Sequence, residues 1–196
     1  MKALVSLAVI AAASLALPAF AQNQDQAFIG ENAGAGSQGR IAVNQAAGAG
    51  NAQANLAAFA HAQNGIGLAD TYSRQRATPA ERAAAASATI DGSAFDGTSG
   101  ALSLNQAAGS SNLQLNTIAI GAGGFQLTHA DDAALAETAV AGTSTEGTAT
   151  ATPDRRALID MDAFRGSQGV VQVNQTAGVG NLSTNAIVLQ LPGSTP

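Results

Sequence analysis

The chain has 196 residues and a formal net charge of −5, with no cysteine, no tryptophan, one tyrosine and only one lysine, Lys2. Without thiols it can form neither disulfides nor a thiolate metal site, and without clustered Lys/Arg it lacks the surface that a nucleic-acid partner requires. Much of its apolar fraction is alanine, which buries little area, so stability must come from backbone hydrogen bonding and repetition rather than from one large core.

In chain order, residues 1–21 read as a secretory signal peptide. Lys2 supplies the positive start, Ala3 to Leu17 the apolar run, and Ala19-Phe20-Ala21 the small-residue cleavage site. The run is shorter than the roughly 20 residues that span a bilayer, and no later stretch is long and apolar enough, so stable membrane insertion is not expected. A short N-terminal segment, 22–28, leads into the first of three copies of one unit.

The copies occupy residues 29–60, 90–121 and 159–190. Their cores read GRIAVNQAAGAGNAQANLAAFA, GALSLNQAAGSSNLQLNTIAIG and GVVQVNQTAGVGNLSTNAIVLQ and align without a gap. Upstream, Ile29, Ile90 and Ile159 each stand seven residues before a glycine. Units of this size are typical of repeat architectures. Within each, apolar residues alternate with polar ones (Ile41/Val43, Leu102/Leu104, Val171/Val173), which predicts short half-buried strands. Asn-Gln-Ala-Ala-Gly reads as a turn between two strands, and the parity change from Leu113/Leu115 to Ile118/Ile120 reads as a corner or bulge near Asn116. Gly39, Gly48, Gly100, Gly109, Gly169 and Gly178 are the expected turn glycines.

The amides recur at matching places: Asn44/Asn105/Asn174, Gln45/Gln106/Gln175, Asn51/Asn112/Asn181 and Asn55/Asn116/Asn185. If the copies stack in register at about 4.8 Å, these side chains can form amide ladders, since each carries both donors and acceptors. The expected fold is therefore all-β, with three stacked Asn/Gln/Gly-rich layers, β-solenoid-like and competent for cross-β pairing. Flexible or partly helical linkers join them at 61–89 and 122–158, with a C-terminal tail at 191–196. Thr78-Pro79-Ala80-Glu81 and Thr128-His129-Ala130-Asp131 have the form of helix starts, and 142–153 that of a disordered stretch.

No catalytic constellation, metal site or cofactor site is expected. His61 and His129 both fall in linkers, with no Cys in the chain and no i,i+4 ligating partner. Asp131-Asp132 suits the start of a helix, and Asp160/Asp162 the wet face of a strand. The Gly-x-Gly sequences lack the strand–loop–helix setting and the lysine of a phosphate loop.

The stretches Val43–Asn55, Leu104–Asn116 and Val173–Asn185, with a signal peptide ahead and unequal linkers between, resemble the fibre subunits of the Fap functional-amyloid system of Gram-negative bacteria. Curlin repeats are a more distant likeness. The resemblance implies export through the periplasm and an outer-membrane pore. It also implies assembly with itself and with a related subunit into extracellular cross-β fibres at the cell surface, and a role in biofilm matrix and adhesion. A Cys-x-x-Cys associated with the major subunit of that system is absent, which leaves a nucleating or minor role open. The rival reading is a monomeric β-solenoid adhesin, which would need irregular polar caps on its terminal edges. The short segments 22–28 and 191–196 supply little of that kind.

Overall fold

The computed structural model describes residues 24–62, 67, 69–76, 85–123 and 154–192. The signal peptide, both helix starts, the 142–153 stretch, His129 and Asp131-Asp132 lie outside them. Among the described residues the chain is all-β, with nine strands: β1 (Gln24–Ile29), β2 (Gln38–Ala47), β3 (Ala52–His61), β4 (Ala85–Ile90), β5 (Ser99–Ser110), β6 (Leu113–Gly123), β7 (Arg155–Ile159), β8 (Gln168–Val179) and β9 (Leu182–Pro192).

They form three parallel sheets, ordered β1-β4-β7, β2-β5-β8 and β3-β6-β9. Each sheet takes one strand from each sequence repeat, with the second repeat in the middle. The gapless alignment reappears as Cα register: Asn44 pairs with Asn105 and Asn105 with Asn174, and likewise along every strand. Parallel strands need long connections, which the two linkers provide. The β2-β5-β8 sheet lies between the other two.

Three local expectations are corrected. Asn-Gln-Ala-Ala-Gly is not a turn. Asn44–Ala47, Asn105–Gly109 and Asn174–Gly178 are extended and paired, and the reversal comes after them, before Asn51, Asn112 and Asn181. Strand geometry sends the adjacent Asn and Gln to opposite faces, so each amide reaches a different neighbouring sheet. Nor does the chain break at Asn116, because β6 pairs without interruption on both sides. Both its faces are buried from Leu113 to Ala119, so apolar residues can change parity without a corner. Asp160 and Asp162 belong to no strand. Asp160 follows β7 and Asp162 lies in the next turn, where the Asp160 carboxylate accepts the Asp162 N–H at 2.9 Å.

The strands also begin earlier than the repeats. β1, β4 and β7 end on Ile29, Ile90 and Ile159, using residues read as N-terminal segment and linker. Among their inward side chains in repeats one and two, Ala27, Ala86 and Ala88 are small, and these pack as a buried cluster with Ala108. A second cluster joins Ile29, Ile90, Leu102 and Leu104 to Ala94 and Phe95 of the six-residue turn. Phe95 stacks on Phe164 with ring centroids 5.5 Å apart. In the first repeat Gly34 holds that place, and a Cβ there would meet the Phe95 ring at 2.7 Å. The first linker covers part of the third sheet: Gly67 lies against Ala122, and Gln75 Nε2 donates to the Gln114 carbonyl at 3.1 Å.

Gly109 shows how closely the repeats approach. Its φ is +107°, and a Cβ would fall on the Gly178 carbonyl oxygen, whereas a Cβ on Gly97 (φ +61°) meets nothing. Gly109→Ala should therefore cost at least about 3 kcal/mol, from clash and strain together, and Gly97→Ala only about 1 kcal/mol. Urea unfolding of the soluble chain measures both, and equal losses would contradict the close approach.

Candidate functional site

The candidate site is the set of amide side chains that run across the three repeats between the sheets. Strand alternation places Asn44, Asn105 and Asn174 on the face of their sheet toward β3, β6 and β9, and Gln45, Gln106 and Gln175 on the face toward β1, β4 and β7. The structure brings every one of the twelve amides within hydrogen-bond distance of its equivalent. Asn105 Nδ2 donates to Asn44 Oδ1 at 2.9 Å and Asn174 Nδ2 to Asn105 Oδ1 at 3.0 Å. Gln106 and Gln175 donate to Gln45 and Gln106 at 2.8 Å each. Asn112 and Asn181 donate to Asn51 and Asn112 at 2.9 and 2.8 Å. Asn116 and Asn185 donate to Asn55 and Asn116 at 2.9 and 3.0 Å.

All eight bonds run one way. The NH2 belongs to the later repeat and the oxygen to the earlier one. Gln53, outside these columns, donates in the opposite sense to Gln114 Oε1 at 2.6 Å.

The columns also brace one sheet against the next. The Asn116 amide donates to the Leu104 carbonyl at 3.0 Å and to Asn105 Oδ1 at 2.9 Å. Gln106 donates to the Thr89 carbonyl at 2.9 Å and Asn112 to the Gly178 carbonyl at 3.0 Å. Asn112 Oδ1 accepts the backbone N–H of Asn181 at 3.1 Å, joining the reversal of the third repeat to that of the second. In the middle repeat Asn105, Gln106, Asn112 and Asn116 are fully buried. Buried amides keep their strength only when every donor and acceptor has a partner, and here the facing strand of the same repeat and the neighbouring repeats together supply them.

Five of the six glycines fall inside strand ends, and only Gly48 lies in a reversal itself. Gly39, Gly100 and Gly169 are the second residues of β2, β5 and β8. Gly109 and Gly178 lie near the ends of β5 and β8, and Gly48 just follows β2. Two polar contributors escaped the sequence reading. Gln172, in register with Ser103, donates to the Thr117 carbonyl at 3.0 Å and accepts from Ser103 Oγ at 3.2 Å. The in-register pair Gln53 and Gln114 is the other, and the third repeat has Ser183 in its place. Neither recurs in all three copies, so repetition gave no signal. His61 ends β3 and is exposed. Among the described residues no group of His, Cys, Asp or Glu is placed to hold a metal.

The model of the functional amyloid protein FapB/FapC family matches residues 8–192. The chain belongs to that family. No solved structure matches it. As a FapB/FapC member it is a functional amyloid subunit, and its amides form columns, buried in the middle repeat, rather than a pocket.

Asn116→Ala would remove a fully buried side chain that donates to the Leu104 carbonyl, Asn55 and Asn105. A loss of about 3 kcal/mol is expected. Asn44→Ala, at an exposed end of its column, should lose under about 1 kcal/mol. Urea midpoints of the two variants provide the comparison, and shifts of equal size would count against the buried column.

Proposed function

We propose that this chain is an exported subunit whose three repeats act as successive layers of a β-solenoid. Copies add end to end into extracellular, cell-surface fibres that support biofilm matrix and adhesion. The observation that carries this reading is the one-way direction of the amide columns. At the third repeat Asn174, Gln175, Asn181 and Asn185 present the oxygen side of each column, and at the first repeat Asn44, Gln45, Asn51 and Asn55 present the NH2 side. One copy's last repeat thus complements the next copy's first. β7, β8 and β9 at one end and β1, β2 and β3 at the other are edge strands, the positions at which sheets extend. In this reading the amide ladders hold the register, and nothing in the assembly needs a cofactor or catalytic group.

The signal sequence supports export through the periplasm. An outer-membrane pore and a related fibre subunit as partners follow from the family resemblance alone.

Incubating the purified chain and recording fibre diffraction tests the proposal. Reflections at about 4.7–4.8 Å along the fibre and about 10 Å across it are expected. A protein that stays monomeric for days and gives neither reflection would be the surface adhesin instead, and the assembly reading would fall.

A further inference from the structure

The three repeats match in register but not in charge, and one column of the first sheet differs in an informative way. Asp25 of β1 pairs with Ala86 of β4, and Ala86 with Arg155 of β7. The column therefore reads acid, methyl, base from one end of the chain to the other. Both charged side chains point toward the second sheet at the same place, beside the glycine column Gly48–Gly109–Gly178. A Cβ on Gly48 would lie 2.7 Å from Asp25 Oδ2, and one on Gly178 would lie 3.1 Å from Arg155 Cδ and 3.5 Å from Arg155 Nε. Glycine leaves the room that these longer side chains occupy, where the middle repeat needs none beside Ala86. Asp25 is buried although it belongs to an end strand.

We infer that Asp25 and Arg155 are the two halves of an intermolecular ion pair that selects head-to-tail, in-register docking of one copy's third repeat on the next copy's first. The inference rests on the assembly reading and specifies its contact surface, a second copy of this chain. Continuing the observed register by one step sets Arg155 of one molecule beside Asp25 of its neighbour, at the interstrand spacing of about 4.8 Å. The carboxylate and guanidinium then meet between two sheets, where opposite charge is attractive and like charge costly. A slip of one residue brings Gln24 or Gln26 opposite Arg155 and turns the side chains to opposite faces. Arg156 cannot substitute, because alternation sends it away from the second sheet. Two columns end in large apolar residues on both sides: Phe28 leads through Thr89 to Leu158 and Phe59 through Ile120 to Leu189, with all four end residues exposed in the single chain.

The test uses elongation of preformed fibres, each variant growing on its own seeds. D25R and R155D each place like charges at the seam and should slow growth by at least about tenfold. An equimolar mixture of the two can alternate so that every seam has opposite charges, and it should recover to within about threefold of the unaltered chain. The double variant D25R/R155D should recover likewise, which also shows that the single variants are not simply misfolded. R156D carries the same charge change as R155D and should grow at nearly the unaltered rate. Unaltered rates for D25R and R155D, equal slowing by R156D, or no recovery in the mixture and the double variant would each overturn the pair. Absence of fibres from the unaltered chain would sink the assembly reading and the pair with it, whereas fibres indifferent to these charges would sink the pair alone.

Discussion

A primary amide inside a protein carries two donors and an acceptor, and each one left unmet costs about 1–3 kcal/mol. This chain buries such groups in its second and third repeats, and equivalent amides of the neighbouring repeats are among their partners. The requirement fixes much else. Asn105 can reach Asn44 and Asn174 only if all three repeats lie parallel and in register, since a slip of one residue turns an amide to the opposite face. Parallel register in turn demands that no repeat insert a residue within its strands, which the gapless cores satisfy. The glycine column follows as well. Gly109 and Gly178 approach so closely that any side chain between them would push two repeats apart and stretch the Asn112–Gly178 bond.

The same constraint explains why the sheets can be so poor in large apolar residues. Leu102, Leu104, Ile90 and Phe95 form one compact buried cluster, but across the first sheet the packing is methyl against methyl through Ala27, Ala86, Ala88 and Ala108. Hydrophobic burial at about 25 cal/mol per Å² gives little from such surfaces. Backbone pairing and amide columns provide the specificity that shape complementarity gives an ordinary core. Alanine also permits the Gln106 and Gln175 amides to reach the carbonyls of Thr89 and Leu158 across the sheets.

How much of this was legible depended on whether a feature recurred in all three copies. The positions of the twelve amides and a stacking in register were readable because they repeat at matching places. Gln172 and Gln53 were not, since only some copies carry them. The first strands were hidden for a related reason. At matching positions the copies carry Asp25, Ala86 and Arg155, and alanines supply much of the inward alternation around them, so neither identity nor hydropathy marks a strand. The misplaced turn had a different origin. Asn, Gln and Gly favour turns when their side chains serve the local backbone, but here Asn105 and Gln106 serve other strands, and long-range pairing overrides the local preference. Burial on both faces of β6 depends on a linker residue, Gln75, that no repeat comparison could bring into view.

The linkers complete the logic. Equivalent residues are 61 positions apart between the first and second repeats and 69 between the second and third. Closing a flexible loop costs only about 0.6 kcal/mol per doubling of length, so a difference of this size barely affects stability. Selection on the repeats can then be strict while linker length drifts. Tethering also makes two successive pairings intramolecular, so that the costly first contacts of a parallel sheet form at a high effective concentration. Only contacts at the outer faces of the first and third repeats depend on the concentration of free protein. Differences among the repeats therefore carry information that their similarities cannot. Shared residues define how any two repeats pair, whereas, under the proposed assembly, residues that differ at the two ends would select which pairings form between molecules.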